Sequence, residues 1–156
     1  MRLVFWAGFW TFLADQATKY LVVHLMDLRN LGEIDVLPPL LNLRMAWNQG
    51  VNFGFFSGQS GITKWILIGI ALSIVTFVLL WVRKNPPGRF GMLCAGLLVG
   101  GALGNVIDRL LYGAVADFLN MSCCGFDNPY AFNIADIAVF AGAIGLVVVG
   151  GEKKPT

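Results

Sequence analysis

The amino-acid sequence predicts an all-α membrane protein with four transmembrane helices and a small extracytoplasmic β-sheet platform between the first two of them. Of its 156 residues, 57% are hydrophobic and 13% are charged, and the mean hydropathy is +0.72. One small core cannot bury this much apolar surface in water. Four apolar stretches each approach the roughly 20 residues that a helix needs to cross a bilayer: 4–26, 62–82, 90–111 and 131–150. We expect one integral membrane domain over residues 1–156, with outer loops at 30–61 and 112–130.

The positions of the basic residues predict the orientation of these helices. Short loops that contain Lys and Arg are retained in the cytoplasm. One side of the predicted bundle carries six of them: Arg2, Arg83, Lys84, Arg89, Lys153 and Lys154. The other side carries fewer, and the loop at 112–130 has none. We therefore expect a multi-pass protein with both termini in the cytoplasm.

The first apolar stretch also has features of a cleaved signal peptide, because Met1 and Arg2 precede apolar residues. It is longer than such a segment, and it lacks a small-x-small cleavage signal. Asp15 and Lys19 lie four residues apart inside it and share a helix face, so we expect them to pair in a protein interior or a polar cavity. A purely structural ion pair and a direct role in a functional site both remain open for these two residues.

The first outer loop contains a predicted β-strand. Apolar and polar residues alternate from Leu41 to Asn48, which is typical of a strand with one buried face. A stretch rich in glycine and aromatic residues follows at 49–56. We expect a small sheet on the outer leaflet whose apolar side contacts lipid headgroups or helix ends. A surface hairpin without a role in binding is the alternative.

The third apolar stretch has the pattern of a closely packed helix. One face carries a glycine every four residues: Gly96, Gly100 and Gly104. Such a face lets a neighbouring helix backbone approach in lipid. It continues to Asp108, and the adjacent face runs through Asn105 to Arg109. We expect Asp108 and Arg109 to form a hydrogen-bonded scaffold, because a guanidinium satisfies a carboxylate through paired donors.

Asp117 and Asp136 are the main candidates for chemistry. An ionisable residue at a membrane face is costly, which favours a functional role over a contact that only packs helices. Each lies in a short polar cluster, and Asn133 shares the helix face of Asp136. Two close carboxylates do not both ionise readily, so the pair can activate a water and protonate the scissile group during peptide hydrolysis. This chemistry needs no metal and no cofactor.

Other groups that support catalysis are few. His24 is the only histidine, at the outer end of the first stretch, where an interfacial role is commoner than a catalytic one. Cys94 falls within a helix, and the adjacent Cys123 and Cys124 have no histidine at ligand spacing. We therefore expect neither a zinc site nor a thiol protease. Whether Cys123 and Cys124 are modified or paired stays open.

Five short motifs occur in order along the chain. They are DQATK at 15–19, NQGVNF at 48–53, GGALGNVIDR at 100–109, VADF at 115–118 and FNIAD at 132–136. Together they resemble the lipoprotein signal peptidases, the type II bacterial signal peptidases, over nearly the whole sequence. Each motif alone is weak, whereas five in order on four predicted helices form a specific pattern.

The resemblance implies an aspartic protease of the bacterial inner membrane that acts near the outer leaflet without a cofactor. Its substrates would be diacylglyceryl-modified prolipoproteins, cut immediately before the lipidated cysteine. Asp117 and Asp136 correspond to the catalytic pair of the family. The supporting polar residues correspond to Asp15, Lys19, Asn48, Gly50, Asn105, Asp108, Arg109 and Asn133.

The resemblance also implies contact with membrane lipid, inhibition by globomycin-type compounds at the same site, no binding of nucleic acid, and a monomer. Two features depart from the family's pattern. Asn52 stands where a small residue is usual, and the segment from Ser122 to Gly125 has an unusual composition. Both concern details of the substrate groove.

Two other classes of function fit parts of the sequence. A small proton-coupled transporter would also carry Asp, Lys and Arg within its membrane spans. Against it, the acidic residues cluster at one face, and no inverted repeat is visible in the sequence. A non-enzymatic subunit of a membrane complex is the third class. Ion flux in proteoliposomes and cleavage of a lipidated propeptide distinguish the transporter from the protease.

Overall fold

The computed structural model describes residues 1–50 and 60–151 of the chain. In order, its elements are α1 (Arg2–Lys19), α2 (Leu28–Leu31), β1 (Glu33–Leu37), β2 (Leu41–Asn48), α3 (Ser60–Lys84), α4 (Arg89–Tyr112), β3 (Val115–Asn120) and α5 (Ile134–Gly151). A π-helical segment, Tyr20–Leu25, extends α1. Asn52, Lys153, Lys154 and most of the predicted glycine-rich stretch lie outside the described residues.

Helix α4 lies at the centre of the bundle and packs on both α1 and α5. The predicted glycine face contacts α1, since a Cβ added to Gly8 would lie 3.3 Å from the carbonyl oxygen of Gly96. The adjacent face contacts α5, since a Cβ added to Gly101 would lie 2.5 Å from the carbonyl oxygen of Ala135. Small residues therefore let three helix backbones approach closely, and this brings the polar residues at their outer ends together.

Helix α3 covers one side of α4 and leaves a large apolar surface exposed. Val75, Val78 and Val82 of α3 are buried in a core with residues of α1 and α4. On the opposite face of α3, Phe77 is 69% exposed and Leu80 is 62% exposed. A continuous apolar surface of this kind is unfavourable in water and suits lipid.

Within residues 1–50 and 60–151, two helices are long and apolar enough to cross a membrane, namely Gly61–Lys84 and Arg89–Tyr112. The apolar helix Ile134–Gly150 is shorter, and α1 carries Asp15 and Lys19 within 18 residues. The predicted stretches at 62–82 and 90–111 thus correspond to α3 and α4. Four membrane crossings remain a prediction.

The three strands form one antiparallel sheet in the order β1-β2-β3. The alternating pattern predicted β2 with the bounds that it has, and its buried Leu43 packs with Val22, Leu28 and Phe118. The apolar side of the sheet therefore contacts the segment that extends the C-terminal end of α1. The prediction that the sheet belongs to the first outer loop was incomplete, because β3 comes from the second, between α4 and α5.

The end of α4 directs the chain into β3. Gly113 follows the helix with φ of 78°, a left-handed conformation that glycine adopts without steric cost. Its N–H donates to the carbonyl oxygen of Arg109 at 3.1 Å. The chain reverses at this point, and β3 then runs beside the C-terminal end of α4 and pairs with β2.

Candidate active site

Asp117 lies in the middle of β3, opposite Ala46 of β2, and is only 2% exposed. Two side-chain amides donate to its carboxylate. The Nδ2 of Asn48 lies 3.0 Å from Oδ2, and the Nδ2 of Asn133 lies 2.6 Å from Oδ1. Each carboxylate oxygen thus accepts one hydrogen bond from a neutral donor, which stabilises its ionised form without neutralising its charge.

Asp136 lies in the first turn of α5 and is held by a capping box. The Oδ1 of Asn133, which precedes the helix, accepts a hydrogen bond from the N–H of Asp136 at 2.8 Å, and Oδ2 of Asp136 accepts one from the N–H of Asn133 at 3.3 Å. In many helices the same reciprocal pair of hydrogen bonds is formed by Ser or Thr at the first position and Glu or Gln three residues later. Asn105 donates from Nδ2 to Oδ1 of Asp136 at 2.9 Å. Asn133 therefore binds both carboxylates and joins β3 to α5.

The surroundings of Asp117 change its acidity. Burial and, to a smaller extent, the charge of Asp136 raise the pKa of this carboxyl from its ordinary value of 3.8 to about 6, although the hydrogen bonds from Asn48 and Asn133 lower it. Two interacting carboxyls titrate as a pair. A pair with this environment retains one proton at a pH where an exposed aspartate has lost its own.

Asn48→Ala is expected to move the Asp117-dependent limb of the pH profile of kcat/KM to higher pH, by up to about one pH unit. The hydrogen bond from Asn48 favours the ionised carboxylate, so its loss raises the pKa of Asp117 above about 6. Asn42→Ala, in the same strand, is the control and should leave the limb in place. A shift to lower pH, or no shift, would contradict this view of the site.

A buried charge cluster formed by Asp15, Lys19 and Asp108 lies behind the two candidate catalytic aspartates. The Nζ of Lys19 lies 2.8 Å from Oδ2 of Asp15 and 2.7 Å from Oδ2 of Asp108. All three residues are buried, and Lys19 is only 5% exposed. The predicted pairing of Asp15 with Lys19 in a protein interior is confirmed. The cluster contains two carboxylates and one cation. The ammonium group of Lys19 therefore compensates the charges of both Asp15 and Asp108.

The cluster also fixes two backbone segments. Oδ2 of Asp108 accepts a hydrogen bond from the N–H of Ala116 at 3.1 Å, and Oδ1 of Asp15 accepts one from the N–H of Ala135 at 2.9 Å. Each alanine immediately precedes one of the two candidate catalytic aspartates. A single ion-pair cluster between α1 and α4 thus positions β3 and the start of α5 relative to each other.

The expected pair between Asp108 and Arg109 is wrong. Asp108 binds Lys19 instead, and in residues 1–50 and 60–151 no carboxylate lies within 4.0 Å of the Arg109 guanidinium. Neighbours in sequence point about 100° apart around a helix, so Asp108 faces α1 and Arg109 does not. Nη1 of Arg109 donates to the carbonyl oxygen of Asn105 at 3.3 Å, and its buried Nε has no partner among the described residues.

Gly50 orients one of the amides at Asp117. Its N–H donates to Oδ1 of Asn48 at 2.9 Å, which leaves the Nδ2 of Asn48 directed at the carboxylate. The φ of Gly50 is 99°, and a side chain would be strained there. The predicted supporting role of Gly50 therefore has a structural basis in the Asn48 amide.

Gln16 contributes to the site although the sequence did not predict it. Its Nε2 donates to Oδ2 of Asp15 and to Oδ1 of Asp108, both at 3.0 Å. It therefore bridges the two acids of the buried cluster. Its position next to Asp15 in the first motif was the only available signal, because the second contact depends on how α1 packs on α4.

The remaining candidates lie away from the two aspartates. His24 is exposed in the π-helical segment near Tyr20 and Tyr112. Cys123 and Cys124 form a disulfide at the tip of the outer loop, and Cys94 is buried in α4. Across the described ranges, no group of three His, Cys, Asp or Glu residues is arranged to hold a metal ion. The prediction that the reaction needs no metal stays a prediction.

Comparison with solved structures gives two bacterial membrane enzymes determined by the in meso method. The one at 1.9 Å resolution superposes with a TM-score of 0.82 at 29% sequence identity and covers 99% of this chain and 96% of that chain. The one at 2.3 Å superposes with a TM-score of 0.78 at 28% identity, over 100% of this chain and 95% of that chain. The fold as a whole is therefore that of a bacterial membrane enzyme.

Sequence comparison gives the family. The lipoprotein signal peptidase of Methylobacterium radiotolerans is 41% identical over 138 residues, which are 88% of this chain and 79% of that protein. The lipoprotein signal peptidase of Vibrio parahaemolyticus is 35% identical over 152 residues, 97% of this chain and 89% of that protein. Residues 8–150 match the family model described as signal peptidase (SPase) II. The chain belongs to the signal peptidase II family.

Proposed function

We propose that this protein is an aspartic endopeptidase in which Asp117 and Asp136 form the catalytic pair. Its family makes it a protease that removes signal peptides from prolipoproteins. The finer assignment is a cut immediately before the lipidated cysteine of a diacylglyceryl-modified substrate. The observation that carries this proposal is that Asn133 donates to both carboxylates, from Nδ2 to Asp117 and from its backbone N–H to Asp136, which holds them in one site.

The mechanism follows from the different environments of the two acids. The mechanism uses the pair with one proton, a form populated up to about pH 6 because burial and the charge of Asp136 raise the pKa of Asp117 to about 6. The ionised carboxylate takes a proton from a water, which attacks the scissile carbonyl carbon, and the protonated carboxyl donates to the carbonyl oxygen. Collapse of the tetrahedral intermediate then releases the amine of the lipidated cysteine with one proton transferred to it. The carboxyl pair returns to its starting protonation state.

Amide donors hold the acids in place during these proton transfers. Asn48 and Asn133 bind Asp117, and Asn105 binds Asp136, so neither carboxylate needs to reorganise when its charge changes. Arg109 lies one helical turn beyond Asn105, and its Nε has no partner among the described residues. In the proposed complex this donor binds a backbone carbonyl oxygen of the substrate.

The proposed location is the bacterial inner membrane, with four crossings, both termini in the cytoplasm and the catalytic pair near the outer leaflet. The basic residues support this orientation, since Arg2, Arg83 and Arg89 lie at the ends of helices opposite to the end that carries Asp117. A substrate with acyl chains in the outer leaflet presents its scissile bond at that depth. We further propose that the protein acts as a monomer in contact with membrane lipid and that globomycin-type compounds bind the same site.

The direct test is cleavage of a synthetic prolipoprotein peptide by the purified protein. We expect mass spectrometry to find one cut, on the amino side of the lipidated cysteine. The same peptide without its diacylglyceryl group is the control and should be cut far more slowly. Cleavage at another bond, or equal rates for the two peptides, would contradict the proposed substrate.

Activity is also expected to survive prolonged dialysis against EDTA. Proton transfer between two carboxyls and a water requires no Lewis acid, so the rate with lipidated peptide should change less than about twofold. The wild-type protein dialysed without EDTA is the control. A large loss that added zinc restores would show that the proposed carboxyl chemistry is incomplete.

A further inference from the structure

A groove of about 560 Å³ lies between α1, α3 and α4. The described residues that line it are apolar side chains and glycines, among them Val4, Phe9, Leu79 and Leu103. None of them belongs to β3 or α5, the elements that carry the proposed catalytic pair. The groove therefore has a lining of its own, and only its far end, at Val106 and Ile107, approaches the proposed active site.

The groove is long enough to hold an acyl chain. Along α1 its lining runs from Met1 to Phe12, which at a rise of 1.5 Å per residue is about 17 Å. Along α4 the lining continues to Val106 and Ile107, next to Asp108. With the termini in the cytoplasm, as proposed above, the end lined by Met1 lies at the cytoplasmic face of the membrane. An acyl chain that enters from this side would lie along α1.

The cytoplasmic end of the groove is positively charged. Met1 lines this end, and Arg2 follows it. Arg83 lies four residues after the lining residue Leu79, and thus one turn further along the same face of α3. Arg2 and Arg83 are both exposed, and neither forms an ion pair with any residue in 1–50 or 60–151. Their charges are therefore available to an external anion.

We propose that this groove binds an anionic phospholipid of the cytoplasmic leaflet. One acyl chain occupies the apolar groove between α1, α3 and α4, and the phosphate contacts Arg83 and Arg2. A basic residue at the membrane surface attracts an anionic headgroup by roughly a fivefold gain in affinity per charge. A zwitterionic phospholipid fits the same groove but lacks the net charge. The proposal rests on the proposed orientation and not on proteolysis.

Native mass spectrometry of the purified protein in detergent tests this proposal. The probes are phosphatidylglycerol and phosphatidylcholine with identical acyl chains, titrated separately, and the readout is the fraction of protein that retains one lipid. We expect the wild type to retain phosphatidylglycerol at a concentration at least about fivefold lower than phosphatidylcholine. Arg83→Gln should lower this difference by about fivefold, because the charge of Arg2 remains.

Lys84→Gln is the matched control for the charge. Lys84 is next to Arg83 at the same end of α3, but it lies about 140° around the helix from Leu79 and so faces away from the groove. This variant should keep the preference for phosphatidylglycerol. Leu103→Trp, which fills the groove, should lower retention of both lipids while cleavage of lipidated peptide shows that it is folded.

Three results would overturn the proposal. The first is equal retention of the two lipids by the wild type, and the second is an equal effect of Arg83→Gln and Lys84→Gln. The third is a species with two protein chains that Leu103→Trp abolishes, which would make a second copy of this chain the occupant of the groove. A protein that selects the anionic lipid but fails to cleave would contradict the proposed function and leave this site standing. An active protease without the lipid preference would contradict the proposed lipid site and leave the proposed function standing.

Discussion

Lys19→Met is expected to destabilise the protein by about 3 to 5 kcal/mol and to lower its peptidase activity at the same time. Lys19 is the one cation in contact with both Asp15 and Asp108, and its removal leaves two buried carboxylates without compensation. Methionine keeps most of the aliphatic volume, so the loss reflects charge rather than packing. Activity falls because the same carboxylates hold the N–H groups of Ala116 and Ala135, next to the two proposed catalytic aspartates.

Thermal unfolding in detergent, monitored for three variants beside the wild type, measures this effect. Arg109→Ala is the control, because its guanidinium contacts no described carboxylate within 4.0 Å, and its melting temperature should fall less than that of Lys19→Met. The double variant Lys19→Met with Asp108→Asn should recover part of the lost stability, since it removes one uncompensated charge. Equal destabilisation by Lys19→Met and Arg109→Ala would contradict the assignment of the buried cluster.

Asp117→Asn and Asp136→Asn are each expected to lower kcat/KM by at least about a thousandfold while the protein still folds and inserts. An amide neither accepts a proton from water nor shares the proton of the pair, so the loss falls on the chemical step. Substrate binding should change little, because the side-chain volume is retained. A single-turnover measurement with lipidated peptide separates the two effects. Substantial residual activity in either variant would remove that residue from the catalytic pair.

Asp117→Asn, although it lowers activity, should leave the thermal stability unchanged or raise it. Its pKa rises from 3.8 to about 6 on folding, so its contribution to stability is fully present below pH 3.8 and is lost as the pH rises through about 6. The difference corresponds to roughly 3 kcal/mol. One hydrogen bond, from Asn48, is lost in the variant, at a cost of about 1 kcal/mol. Asp117→Asn should therefore melt at the wild-type temperature or above it at pH 7.5, and no higher than wild type at pH 4.

The elements that local sequence determines were predicted well. The stretches 62–82 and 90–111 lie within α3 and α4, because a long apolar run between polar ends has few alternatives to a helix in lipid. The strand Leu41–Asn48 was predicted with its observed bounds, because the alternation of apolar and polar residues is itself the property of a half-buried strand. In these segments the information is contained within about 20 residues.

Elements that depend on distant contacts were missed or misplaced. β1 and β3 were not predicted, since β3 pairs with β2 across about 70 residues of chain, and each is only five or six residues long. The last helix begins at Ile134 rather than at residue 131, although Asn133 followed three residues later by Asp136 has the spacing of a capping box. The spacing of Asn133 and Asp136 indicates both a shared helix face and a helix that begins just after Asn133, and only the first was predicted.

In the candidate site, too, contacts between residues close in sequence were predicted, and contacts between distant residues were missed. Asp15 and Lys19 are four residues apart, so their pairing was visible in the sequence. The partner of Asp108 was not, because it depends on the register of α1 against α4. Gly104 contacts Asp15, since a Cβ there would lie 2.6 Å from Oδ2 of that residue, and one turn further along both helices leads to Asp108 and Lys19. Proximity in sequence favoured Arg109 instead, although helix neighbours do not face each other.

The central claim is that Asp117 and Asp136 carry out the hydrolysis. It is tested most directly by the single-turnover rate of a lipidated prolipoprotein peptide with Asp117→Asn, beside Asp127→Asn as the matched control. Asp127 is an acid of the same outer loop, exposed to solvent. The proposed mechanism predicts a loss of at least about a thousandfold for Asp117→Asn and a rate within about twofold of wild type for Asp127→Asn. Comparable rates for the two variants would contradict it.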